Sequence, residues 1–247
     1  MNDATLLTIP ASVTGILGAM PSEIDMLLAA MSAVSVHQLL GRQFYQGQLY
    51  GHPVVLVQGG IGKVRAAITA TTLVNHFAVH RLLFTGVAAA LRTGLAMGDV
   101  LLANQAIEHD FGTGRPEGFR LGLDFLPGEH EQWITANPAL LHLVLAKQAE
   151  IEWGEPSPPQ VHHGRIATGD IFIASADLRQ QVYQRTLADA VEMEGVAVLR
   201  VAQDAGIPCL LIRSISDEGD SHDFLQFCHL AARHSAAVVK TILQALG

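Results

Sequence analysis

Cysteine is nearly absent, with Cys209 and Cys228 the only two in 247 residues. Two cysteines exclude a disulfide framework, and their spacing matches neither a zinc site nor a CxxC redox pair, so both read as buried free thiols. Charge is also sparse, at 15% of residues, and the formal net charge of -8 carries no run of Lys or Arg interleaved with aromatics. Nucleic acid is thereby excluded as a partner, because its binding rests on a basic face. No apolar run approaches the ~18 residues that mark a membrane span, and no basic segment precedes the first apolar stretch. The chain reads as cytoplasmic, with neither signal peptide nor membrane association.

What the chain has is apolar surface, with 49% hydrophobic residues. That content implies a sizeable core, partly shared in an oligomer, and one domain over residues 1–247 with residues 1–11 as a loose extension. The pattern alternates strand and helix. Residues 13–17 read as a buried strand, and the spacing of Ile24, Leu27, Leu28 and Met31 is helical. Residues 42–50 and 52–57 read as paired strands joined at Tyr50-Gly51, and glycines 59, 60 and 62 open a helix running to Phe77. Further strands are expected at 81–84, 100–103, 161–167, 190–193 and 209–215, with a last helix at 224–246. Asn137-Pro138 starts a helix, and Gly206 with Pro208 stops the one that begins near Gly195. The irregular stretch 108–133 reads as a site-flanking loop, and the Pro-rich 155–160 as a turn between helix and strand.

Three acidic residues fall just beyond strands, where open α/β sheets bind ligands: Glu23, Glu194 and Asp217. Each alone is better read as a helix cap or a first-turn dipole partner, and only the set points to acidic chemistry. Gly59-Gly60-Ile61-Gly62-Lys63-Val64 is not a phosphate loop, because Val57 stands where the first Gly is needed and Val64 where Ser or Thr is needed. Gly15 and Gly18 lack dinucleotide-fold spacing. His162-His163 would face opposite sides of a strand, and His109-Asp110 and His222-Asp223 read as solvated or structural pairs, so no metal and no cofactor is expected. Covalent acyl-transfer motifs are missing too.

Several blocks together resemble the nucleoside phosphorylase/hydrolase superfamily, and within it the 5'-methylthioadenosine/S-adenosylhomocysteine nucleosidases. They are residues 15–20 (GILGAM) with Glu23, 60–63 (GIGK), 168–173 (TGDIFI), 191–195 (VEMEG) and 213–217 (RSISD). The resemblance implies an α/β fold of three layers, a mixed central sheet flanked by helices, and a homodimer that binds a small purine nucleoside. It further implies hydrolysis of the N-glycosidic bond, with Glu23 activating water and Asp217 protonating the departing base. Glu194 would hold the ribose hydroxyls, with Glu192, Met193, Ser216 and Val87 beside it. Phe172 would stack on the purine, Ile173 would offer backbone hydrogen bonds, and Met20 and Ile61 would line the sugar and alkylthio region.

One departure stands out: the family's Gly-Ser-Ala-Gly-Gly type of loop is replaced by Gly86-Val87-Ala88-Ala89-Ala90. Phosphorylases of the superfamily place an Arg where this chain has Phe84, which favours water as nucleophile, although Arg65 and Arg92 are not far away in sequence. Three alternatives stand beside methylthioadenosine hydrolysis: a futalosine-like nucleosidase, a phosphorylase, and a non-catalytic nucleoside sensor.

Overall fold

The computed structural model describes residues 12–128 and 133–246; the expected extension at 1–11 and part of the 108–133 stretch lie outside them. The chain opens with β1 (Thr14–Gly18) and α1 (Pro21–Ala29), followed by a meander of β2 (Met31–Leu39), β3 (Arg42–Leu49) and β4 (His52–Gln58). Next come α2 (Lys63–Phe77), β5 (Arg81–Ala90), β6 (Val100–Glu108), a hairpin of β7 (Gly112–Arg115) and β8 (Gly118–Leu121), and the short β9 (Ile134–Thr135). The second half runs α3 (Pro138–Lys147), β10 (Val161–Thr168), α4 (Ala176–Thr186), β11 (Ala190–Glu192), α5 (Gly195–Asp204), β12 (Cys209–Asp217) and α6 (Ser221–Ala245).

The main sheet has the order β11-β10-β6-β12-β5-β1-β4-β3-β2, with parallel and antiparallel neighbours. Helices cover both faces, as expected for three layers. Ala66, Ala70 and Leu73 of α2 and Val198 and Leu199 of α5 pack on one face. Ile24 and Leu27 of α1, Leu140 and Val144 of α3, and Val238, Val239 and Ile242 of α6 pack on the other. Central strands are therefore dry on both sides: every residue of β1 and β12 is buried. Such strands read as continuous apolar runs, which is why the sequence reveals them.

The chain's punctuation also works as read. Asn137 accepts hydrogen bonds from the backbone N–H of Ala139 (2.9 Å) and Leu140 (3.3 Å), and Gly206 adopts φ +68° after α5. Cys209 and Cys228 are free and buried.

Three differences from the sequence reading have physical causes. The first helix stops at Ala29 and β2 follows, unannounced because this edge strand is mostly exposed and bulges between Ser32 and Ser35, so it shows no clean alternation. Strand β5 continues past Phe84 to Ala90 and β6 past Ala103 to Glu108. The first of these extensions, Thr85-Gly86-Val87-Ala88-Ala89-Ala90, is mostly Gly and Ala, which read locally as loop but pair here with β12 and β11. The irregular stretch also contains the β7-β8 hairpin. The antiparallel pairing of β11 with β5 closes β5, β12, β6, β10 and β11 into a ring.

Candidate active site

The cleft opens where β1, β5, β11 and β12 end, and about 710 Å³ of free space lies within it and its open mouth. All eleven residues singled out in the sequence line it: Met20, Glu23, Ile61, Val87, Phe172, Ile173, Glu192, Met193, Glu194, Ser216 and Asp217. Sequence reasoning missed Ile171 and Phe224 among its walls. Phe224 meets Phe172 edge to face, with ring centroids 5.3 Å apart. Nothing in the apolar pattern of the last helix distinguishes Phe224 from a core residue. Ile171, by contrast, sits inside the 168–173 block.

Glu23, Glu194 and Asp217 are buried, each no more than 7% exposed. Glu23 serves α1 and the cleft together. Its Oε2 accepts from the backbone N–H of Ala19 (2.6 Å) and Met20 (2.9 Å), capping the helix, while Oε1 accepts from Val87 N–H (3.1 Å). Burial pushes its carboxyl above the ordinary range, against the opposing pull of Arg213 and these backbone donors. The Glu23 position depends on Gly86, where a Cβ would stand 2.6 Å from Oε1.

Asp217 owes its aim to an irregularity in β12: the register against β5 slips between Ile215 and Asp217, leaving Ser216 as an extra residue. The Ser216 hydroxyl donates to Asp217 Oδ2 (2.8 Å) and Gly219 N–H donates to Oδ1 (2.8 Å). Burial nevertheless raises the Asp217 carboxyl, outweighing those donors.

Glu194 follows β11 and accepts from Gly62 N–H at 2.8 Å. Burial, together with the neighbouring Glu192 charge, pushes it up to about 8. Glu192 itself is saturated by protein donors. Its carboxylate accepts from Arg213 Nη2 (2.8 Å), the N–H groups of Glu194 (3.1 Å) and Gly195 (2.7 and 2.9 Å), and the Thr168 hydroxyl.

Cations are turned away from this space. Among the described residues no Lys or Arg lines the cleft. Arg213 is consumed by Glu192 and the Phe84 carbonyl (3.1 Å), with its guanidinium 3.9 Å from the centre of the Phe84 ring. Arg92 pairs with Asp189 at 2.6 Å, and Arg65 lies outside the cleft wall. The glycine turn before α2 does expose N–H groups at a helix start, but the chain supplies the anions itself: Glu194 on Gly62, and Asp170 on Lys63 N–H (2.8 Å). His162, on β10, is held by Asp99 at 3.0 Å.

Three buried carboxyls with raised proton affinity around a largely apolar slot define an α/β enzyme site for acid–base work on a small ligand. Comparison with known proteins narrows the class: residues 13–244 match the phosphorylase superfamily, and the chain belongs to that family. It is 31% identical to the 5'-methylthioadenosine/S-adenosylhomocysteine nucleosidase of Mycobacterium tuberculosis, over 96% of this chain and 98% of that protein. It is 33% identical to the aminodeoxyfutalosine nucleosidase of Helicobacter pylori, over 94% and 98%. The solved 5'-methylthioadenosine/S-adenosylhomocysteine nucleosidase of Colwellia psychrerythraea, in complex with adenine, superposes with a TM-score of 0.85 at 30% identity, covering 96% of each chain.

Proposed function

We propose that this chain hydrolyses the N-glycosidic bond of 5'-methylthioadenosine and S-adenosylhomocysteine, releasing adenine and the thio-ribose product for methionine salvage. Water attacks the anomeric carbon and gives a proton to Glu23. The carbon–nitrogen bond breaks with its electron pair going to the base, which Asp217 protonates, while Glu194 holds the ribose hydroxyls. The observation that carries this reading is the convergence of Glu23, Glu194 and Asp217, all with raised proton affinity, on one slot. A cleft wall without Lys or Arg among the described residues favours water over phosphate. Phe172 and Phe224 supply aromatic surface for the purine, with Ile173, Met193, Met20 and Ile61 as apolar walls. Glu192 acts from behind, fixing the backbone of Glu194.

The aminodeoxyfutalosine relative favours a second reading, a nucleoside with a different 5' substituent, and Val87, Ala88 and Ala89 of the departure lie on the cleft wall, where such a change would act. We further place the protein in the cytoplasm as a single-domain chain that pairs into a homodimer. Ile61, Val64 and Ile68 form an exposed apolar stripe beside the cleft mouth that supports such pairing.

The test follows free adenine from purified protein and 5'-methylthioadenosine in phosphate-free buffer. Release by the wild type is expected, and Asp217→Asn should lower kcat by roughly 10²–10⁴-fold. No adenine in that buffer, with release and 5-methylthioribose 1-phosphate appearing once phosphate is added, overturns the reading.

A further inference from the structure

Directly behind the cleft mouth, Lys63 closes a ring of hydrogen bonds. Its Nζ donates to Asp110 Oδ1 (2.6 Å) and Glu108 Oε1 (3.0 Å), Asp110 Oδ2 accepts from Asp170 N–H (2.7 Å), and Asp170 Oδ1 accepts from Lys63 N–H (2.8 Å). The ring joins three segments far apart in sequence: the end of β6, the loop after β10 and the first turn of α2. Lys63, Glu108 and Asp110 are partly shielded, so their pairing is firmer than that of an open surface bridge, while Asp170 is exposed. Burial opposes the charge on Lys63, yet the bonds to Asp110 and Glu108 outweigh it and hold the ammonium above its ordinary value.

Immediately before Lys63 stands Gly62, with φ +99° and its N–H on Glu194 Oε1. The turn holds a second left-handed glycine, Gly60 at φ +85°, and the N-cap position of α2, Gly62, brings no side chain of its own to cap the helix. A turn with two such glycines has little stiffness of its own; its start is held by Gly59 N–H on the Gly18 carbonyl (2.8 Å) and Gly60 N–H on the Ala19 carbonyl (3.1 Å), and its far end, at Gly62, by the Lys63 ring. We propose that Lys63, anchored by Asp110 and Glu108, is a positioning residue for Glu194: it fixes the Gly62 N–H that occupies one oxygen of that carboxylate and leaves the other for the sugar. The assignment rests on the nucleoside reading above and adds a residue to it.

Binding distinguishes the two claims without requiring turnover. Dissociation constants are measured by calorimetry for adenine and for a non-cleavable 7-deaza 5'-methylthio nucleoside. Lys63→Met should weaken the nucleoside by about tenfold, the effect of one lost charge-assisted tether, and leave adenine, which has no sugar, within about twofold. Lys63→Arg should restore most of the loss. If Lys63→Met does not fold, Asp110→Asn removes the charge facing Lys63 while keeping an acceptor for Asp170, and carries the same expectation. Equal weakening of both ligands, or of neither, overturns the positioning role alone. A wild type that binds neither ligand overturns the nucleoside reading and this role with it.

Discussion

Glu194 is held near 8 in the folded chain, whereas its ordinary value is 4.5. Between those two values the folded state binds the proton more tightly than the unfolded state. The stability that this group contributes is therefore complete below about 4.5 and is lost as pH rises through about 8. Glu194→Gln removes the penalty of ionising a buried acid. At pH 8–9 it should raise the melting temperature of the ligand-free protein by roughly 2–4 °C, and it should change little near pH 5. Thermal melts across that range check the sign; a variant less stable than wild type at high pH contradicts it. At the same scale, Glu23 shows what a sequence can and cannot tell. A carboxylate in the first turn of a helix reads more readily as cap than as catalyst, and the structure gives its two oxygens different partners, one in each direction. Asp217 was legible as an acid after a strand, but the slip at Ser216 that aims it has no local signature.

At the scale of elements, the second half of β5 carries the most consequence per residue. Its small residues allow β11 to pair at Ala89 and Ala90 and leave Glu23 its place beside Gly86. Gly86→Ala would put a methyl group 2.6 Å from Glu23 Oε1 and 3.2 Å from Arg213 Nη1. Overpacking of that kind costs ~1–3 kcal/mol, so the melting temperature should fall by roughly 2–10 °C, with kcat reduced about tenfold as Glu23 shifts. Unchanged melting and turnover would mean that the neighbours yield freely. Strands buried on both faces, such as β1 and β12, were legible because burial writes a continuous apolar run. Edge strand β2 and the Gly-Ala end of β5 were not, since one buries too little and the other is too small to pattern.

Taken as a whole, the molecule leaves Val64 69% exposed and Ile68 40% exposed one turn apart on α2, with Ile61 just before them. Light scattering at micromolar concentration should give twice the chain mass of 26.4 kDa, and Val64→Glu should shift the population toward monomer. A wild type at single-chain mass would remove the pairing. Oligomeric state was not readable from the sequence by pattern, because an apolar stripe on a helix looks alike whether it faces a core or a partner.

The ring that β11 closes against β5 divides the cleft into parts with different freedom. Val87, Ala88, Ala89, Glu192, Ser216 and Asp217 belong to strands stitched to one another around a complete circuit, so none can shift without stretching a neighbour's backbone bonds. Ile61, Ile171 and Phe172 sit on turns outside that circuit. Whatever accommodation a bulkier guest demands thus falls to the rim, while Asp217 and the strand-borne wall around it keep their places from one guest to the next.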